Sequence, residues 1–122
     1  MNYTEEVNSL IERQMRDWQT VAQNYGALER VETRDLQLGG STVVLQFNPE
    51  RIRSSAAKVD AASLKARKCF LCSENQPQEQ EMIPWHGKYK IQVNPYPIFP
   101  RHLTIANMQH VYQSIVGRVG DM

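Results

Sequence analysis

Between Thr4 and Tyr25 apolar residues recur at three- and four-residue steps: Val7, Leu10, Ile11, Met15, Trp18, Val21, Ala22 and Tyr25. Charged and amide side chains fill the steps between them, so the stretch predicts an amphipathic helix. Its stripe lasts only about three heptads, which makes it a core face and not a coiled-coil seam. Thr4 is suited to cap it, Glu5 and Glu6 suit the positive end of its dipole, and Gly26 is placed to end it in the left-handed conformation. The remaining chain has to supply the other side of that core.

Strand signals supply it. Arg30 to Leu38 and Ser41 to Phe47 flank Gly39 and Gly40, and the β-branched second segment, "STVVLQF", predicts a hairpin. Further on, Tyr89, Ile91 and Val93 alternate with Lys88, Lys90 and Gln92, and Leu103 and Ile105 share a face of "HLTIAN". Two strands joined by the proline-rich "PYPIFPR" follow from this. "NPERIRSSAAKVDAASLKARK", Asn48 to Lys68, is small, polar and basic, and reads as a wrapped connection with a short helix at Asp60 to Arg67. Ser73 to Glu81 lacks apolar residues and reads as an exposed loop. Val111, Tyr112, Ile115, Val116 and Val119 predict a final helix up to Met122, despite Gly117 and Gly120.

These elements define one α+β unit. A helix occupies residues 1–26, the hairpin and basic connection 27–68, and a cysteine knuckle, strand pair and final helix 69–122. The final helix reaches Met122 without a clear stop signal, so we expect a domain cut short at its C-terminal side. An open sheet edge would then favour self-association, either as a homodimer or as aggregate.

With 14 basic and 13 acidic residues, the net charge of +1 provides no global field toward nucleic acid or anionic lipid. No charged segment followed by an apolar one opens the chain, and no run of about 18 apolar residues exists, so we expect a cytoplasmic chain. The only two cysteines, Cys69 and Cys72, stand as C-x-x-C in "KCFLCSEN". Two sulfurs make half of a tetrahedral metal site, an unmetallated thiol pair or a redox dithiol, and the loop after "CFLC" counts against the last.

The segment "NPYPIFPRHLTIANMQH", Asn94 to His110, resembles the histidine-triad superfamily. Together with "CFLC" it is similar to the larger branch of galactose-1-phosphate uridylyltransferases, dinucleoside polyphosphate phosphorylases and GDP-hexose phosphorylases. The resemblance implies an antiparallel sheet of histidine-triad type. It also implies nucleotidyl transfer to phosphate or a sugar phosphate through a histidine that attacks the α-phosphorus. The family carries that nucleophile in H-x-H-x-H or H-x-H-x-Q. Here His86, His102 and His110 are eight or more residues apart, so the motif is missing and the chain resembles the front portion of such an enzyme.

By the same resemblance, zinc would be held by Cys69, Cys72 and His110, with a fourth ligand from the absent motif. His102 would order the active-site hydrogen bonds, with no catalytic residue in the chain itself. Arg101 stands where small histidine-triad proteins usually have glycine. Asn94 offers donor and acceptor to a nucleoside, and Arg51, Arg53 and Lys58 beside Ser54 and Ser55 suit phosphate oxygens. The expected ligand is a nucleotide or nucleotide sugar. The rival reading is a non-catalytic, zinc-supported binding module, its fourth ligand being His86, His102 or a residue of a second chain.

Overall fold

A computed structural model describes residues 2–51, 59–112, 114, 116–117 and 120. The elements are α1 (Tyr3–Asp17), α2 (Gln19–Ala27), a 3-10 turn at Leu28–Arg30, β1 (Glu32–Leu38) and β2 (Ser41–Phe47). They continue with a 3-10 turn at Pro49–Arg51, α3 (Ala61–Ala66), a 3-10 turn at Ser73–Asn75, β3 (Ile83–Trp85), β4 (Tyr89–Val93) and β5 (Leu103–Asn107). The fold is α+β with two small antiparallel sheets, β1-β2 and β3-β4-β5. None of its helices, among the described residues, is long and apolar enough to cross a membrane.

The first stripe is helical but broken. Trp18 takes an extended conformation (φ −120°, ψ 102°), closing α1 with its N–H on the Gln14 carbonyl and opening α2. The cap is Asn2 and not Thr4: its side chain accepts from the Glu5 N–H while the Glu5 carboxylate accepts from the Asn2 N–H. Gly26 lies inside α2, which runs on into the 3-10 turn. The break leaves Leu10, Ile11, Trp18, Val21 and Tyr25 in one core with Ile83, Ile91 and Val93.

The sheet face toward the helices is the predicted alternation, since Ile91 pairs with Ile83 and Ile105, and Val93 with Leu103. Strand β3 lies in a stretch that shows no strand pattern of its own. It is placed by the three-residue loop His86–Lys88, with His86 and Gly87 at positive φ (51° and 66°), which folds Trp85 back onto Tyr89. The Gly39–Gly40 turn, two residues both at positive φ, registers Leu38 against Ser41.

Two further features depart from the sequence reading. Lys90 and Gln92, on the expected solvent side of β4, are 1% and 2% exposed. The final helix is also missing among the described residues: Val111, Tyr112 and Ser114 have no regular structure and Val116–Gly117 is a turn, while Ile115 and Val119 lie outside the described residues. Each interior glycine costs a helix about 1 kcal/mol, and Tyr112 and Val116, at 86% and 85% exposure, find no surface to cover. Asp60 does cap α3 as its sequence suggested, accepting from the Ser63 N–H.

Tyr25 ties the helices to the sheet by donating its hydroxyl to the His102 carbonyl at 2.9 Å. Burial pushes its phenol up to about 12, outweighing the carbonyl contact. The folded chain therefore holds the proton more tightly than the unfolded chain. The stability this contributes is complete below pH 10 and is lost as pH rises from about 10 to about 12. Denaturant titrations from pH 8 to pH 12 should show this alkaline loss in the native chain. In Tyr25→Phe the slope should be reduced, with about 1 kcal/mol less stability at pH 8.

Candidate metal centre

Cys69, Cys72 and His110 come together in space. Their ligand atoms all lie within 4.8 Å of one another, and Cys72 Sγ is 3.2 Å from His110 Nδ1. A four-coordinate zinc with S and N donors sets its ligand atoms about 3.5–3.8 Å apart, so the three fit one ion with small adjustments. Both cysteines are half-buried and His110 is exposed, which leaves one side of the site open. The Leu71 N–H, with help from Cys72 and His110, holds the Cys69 thiol below its usual range. Cys72 is pushed up, first by its hydrogen bond to the Cys69 sulfur and then by burial.

The loop that carries the sulfurs is held carbonyl by carbonyl. Asn75 Nδ2 donates to the Cys69 carbonyl at 2.9 Å and Gln76 Nε2 to the Phe70 carbonyl at 3.1 Å. Lys90 Nζ donates to the Leu71 carbonyl, and the Asn75 N–H to the Cys72 carbonyl at 2.9 Å. Gln76 and Gln92 exchange two amide bonds of 2.9 Å, fastening the loop to β4. Buried amides and an ammonium are costly unless paired, so this network explains how β4 tolerates Lys90 and Gln92 inside. Sequence reasoning missed Asn75, Gln76, Lys90 and Gln92. The first two look like solvated loop residues and the last two like the wet side of an alternating strand.

The remaining candidates divide. His86 sits in the β3–β4 turn against Trp85, with ring centroids 4.5 Å apart, and is not part of the metal cluster. His102 lies at the head of β5 with Phe99 stacked on its ring at 4.2 Å. Its Nδ1 accepts from the Ile98 N–H at 3.3 Å, which places the proton of the neutral ring on Nε2. Asn94 Oδ1 accepts from the Tyr96 N–H at 2.9 Å, so Asn94 Nδ2 and His102 Nε2, 3.5 Å apart, face each other as two donors. Burial lowers the His102 pKa, and the charge of Arg51 lowers it further.

Arg51 is half-buried and donates Nε to the Tyr96 carbonyl at 3.2 Å, beside the same turn. Asn48 and Arg51 line a shallow cleft with Tyr96 and Pro97, and Asn48 Oδ1 is buried there without a partner among the described residues. Arg53 and Lys58 lie outside the described residues.

A knuckle and a histidine cluster on one antiparallel sheet define a small α+β domain with a candidate metal centre. The chain belongs to the family described as "Domain of unknown function (DUF4922)", whose profile matches residues 10–122. Comparison with curated proteins and with solved structures returns no match.

Titration with cobalt(II) or zinc should detect one divalent ion per chain. Cys69→Ser, Cys72→Ser and His110→Ala should each weaken it at least about tenfold, while His86→Ala should leave it unchanged. Equal affinity across all four variants would dismiss the three-residue centre.

Proposed function

We propose that this chain is the front, nucleotide-holding portion of a nucleotidyltransferase or phosphorylase that acts on a nucleoside diphosphate sugar, braced by a structural zinc knuckle. The observation that carries this reading is the meeting of Cys69, Cys72 and His110, the ligand set that the resemblance implies. Two thiolates and an imidazole are zinc's preferred donors, so zinc is the ion we assign. When bound, it would tie the knuckle to the end of β5.

The nucleotide part rests on the second cluster. Asn94 Nδ2 and His102 Nε2 offer two donors to one acceptor, with Arg51 beside the Tyr96 turn as the nearby cation. That suits a ribose or phosphate oxygen, and neutral His102 would order hydrogen bonds and not act as nucleophile. The nucleophilic H-x-H motif is not in these 122 residues. The sheet is of the antiparallel kind such a reading needs, and its β5 edge is unpaired among the described residues, so a second copy is the partner we assign to it.

One observation favours the rival, a zinc-supported binding module. Among the described residues three ligands meet, with His110 exposed, so a second chain has room to supply the fourth.

Equilibrium dialysis with GDP-hexose, UDP-hexose and diadenosine polyphosphate distinguishes the two readings. Binding that falls at least about tenfold in Asn94→Ala and His102→Ala supports the transferase reading, and absence of binding supports the module. Incubation with each nucleotide should give no covalent adduct by intact mass. A nucleotidyl adduct on this chain would refute the reading that its nucleophile is missing.

A further inference from the structure

Lys90 is a buried charged group with no oppositely charged partner among the described residues. Lys90 is 1% exposed, and its hydrogen-bond partners among the described residues, the Leu71 carbonyl and Ser73 Oγ, are both neutral. No carboxylate pairs with it among the ion pairs of the described residues. A buried ammonium in that position is costly unless a negative charge faces it. What it faces is the C-x-x-C loop, since the Leu71 carbonyl stands between the two cysteines.

We propose that Lys90 is a positioning residue of the metal centre: its ammonium holds the Leu71 carbonyl, and so the knuckle, in ligating shape, and supplies the positive charge behind a loop made anionic when both thiols ligate. The proposal rests on the metal reading of the knuckle. Asn75 and Gln76 act on the neighbouring carbonyls as neutral donors, so Lys90 is the one member of the holding set that contributes charge as well as geometry. Its placement on β4 also makes the knuckle part of the sheet, because the same strand carries Ile91 and Val93 into the helix-facing core.

The test compares the native chain with Lys90→Met, which keeps length and volume but removes charge and donor, and Lys90→Arg, which keeps both. Cobalt(II) affinity and hydrogen exchange of the metal-free chain are measured on each. The expected result for Lys90→Met is a loss of about 10- to 100-fold in affinity. Exchange at the Cys72 and Asn75 amides, which donate inside the knuckle, should be faster, while the Trp18 and Ala22 amides keep their protection. Lys90→Arg should recover most of the affinity.

Unchanged affinity and unchanged knuckle exchange in Lys90→Met would overturn the proposal. So would loss of protection at Trp18 and Ala22 together with the knuckle, because Lys90 would then serve general packing. If the native chain binds no cobalt, the metal reading fails by itself and the charge role of Lys90 is overturned with it. The metal-free exchange data still decide whether Lys90 holds the loop.

Discussion

Strand β4 is covered on both faces by materials of opposite kind, and the rest of the structure is arranged to permit this. Ile91 and Val93 press into the apolar core made by α1 and α2, while Lys90 and Gln92 point the other way and are just as buried. An ordinary half-exposed strand would leave those two in water at no cost. Here their desolvation is offset by the knuckle, whose carbonyls and amides accept and return their hydrogen bonds. The domain is therefore layered as helices, sheet and polar loop. The loop is folded by its attachment to the sheet and not by an apolar core of its own.

The same two-sidedness explains what was legible in the sequence. The alternation of Tyr89, Ile91 and Val93 identified the strand correctly because the helix-facing side obeys the usual apolar rule. It said nothing of the other side, since a polar residue satisfied by a loop and one solvated by water look alike in sequence. Cys69, Cys72 and His110 were legible through spacing and resemblance, whereas Asn75 and Gln76 were hidden in a stretch whose polarity reads as exposure. The helix stripe was equally legible, but not its interruption at Trp18, because an extended residue there leaves the apolar spacing unchanged. Strand β3 was lost for want of length, as it has three residues including Pro84 and is defined by its turn. The final helix failed the other way: its spacing was helical, yet Tyr112 and Val116 of its stripe stay in water.

The hairpin β1-β2 obeys local rules without the benefit of a core. Its register places Leu36, Leu38, Val43, Leu45 and Phe47 on one face together with Glu32, Arg34 and Ser41, and Thr33, Asp35, Gln37, Thr42, Val44 and Gln46 on the other. All fourteen strand residues are nevertheless exposed. The glycine turn and strand propensity account for its existence, and its apolar face is a surface without cover among the described residues.

Strand β5 decides how the two clusters relate. His102 precedes its first residue and His110 follows its last by three, so the histidines stand at opposite ends of a strand of about 17 Å. An ion held by Cys69, Cys72 and His110 cannot reach a group bound between Asn94 and His102 across that length. Its influence must pass through the strand, whose register is fixed by β4 from Tyr89–Asn107 at one end to Val93–Leu103 at the other. Fastening His110 to the knuckle anchors the far end of β5, while the Tyr25 hydroxyl and the Asn94 N–H both fasten the near end through the His102 carbonyl. The Cys72–His110 contact at one end and the His102 carbonyl at the other therefore both bear on the register of β5, and β4, covered on both faces, is the strand against which that register is kept.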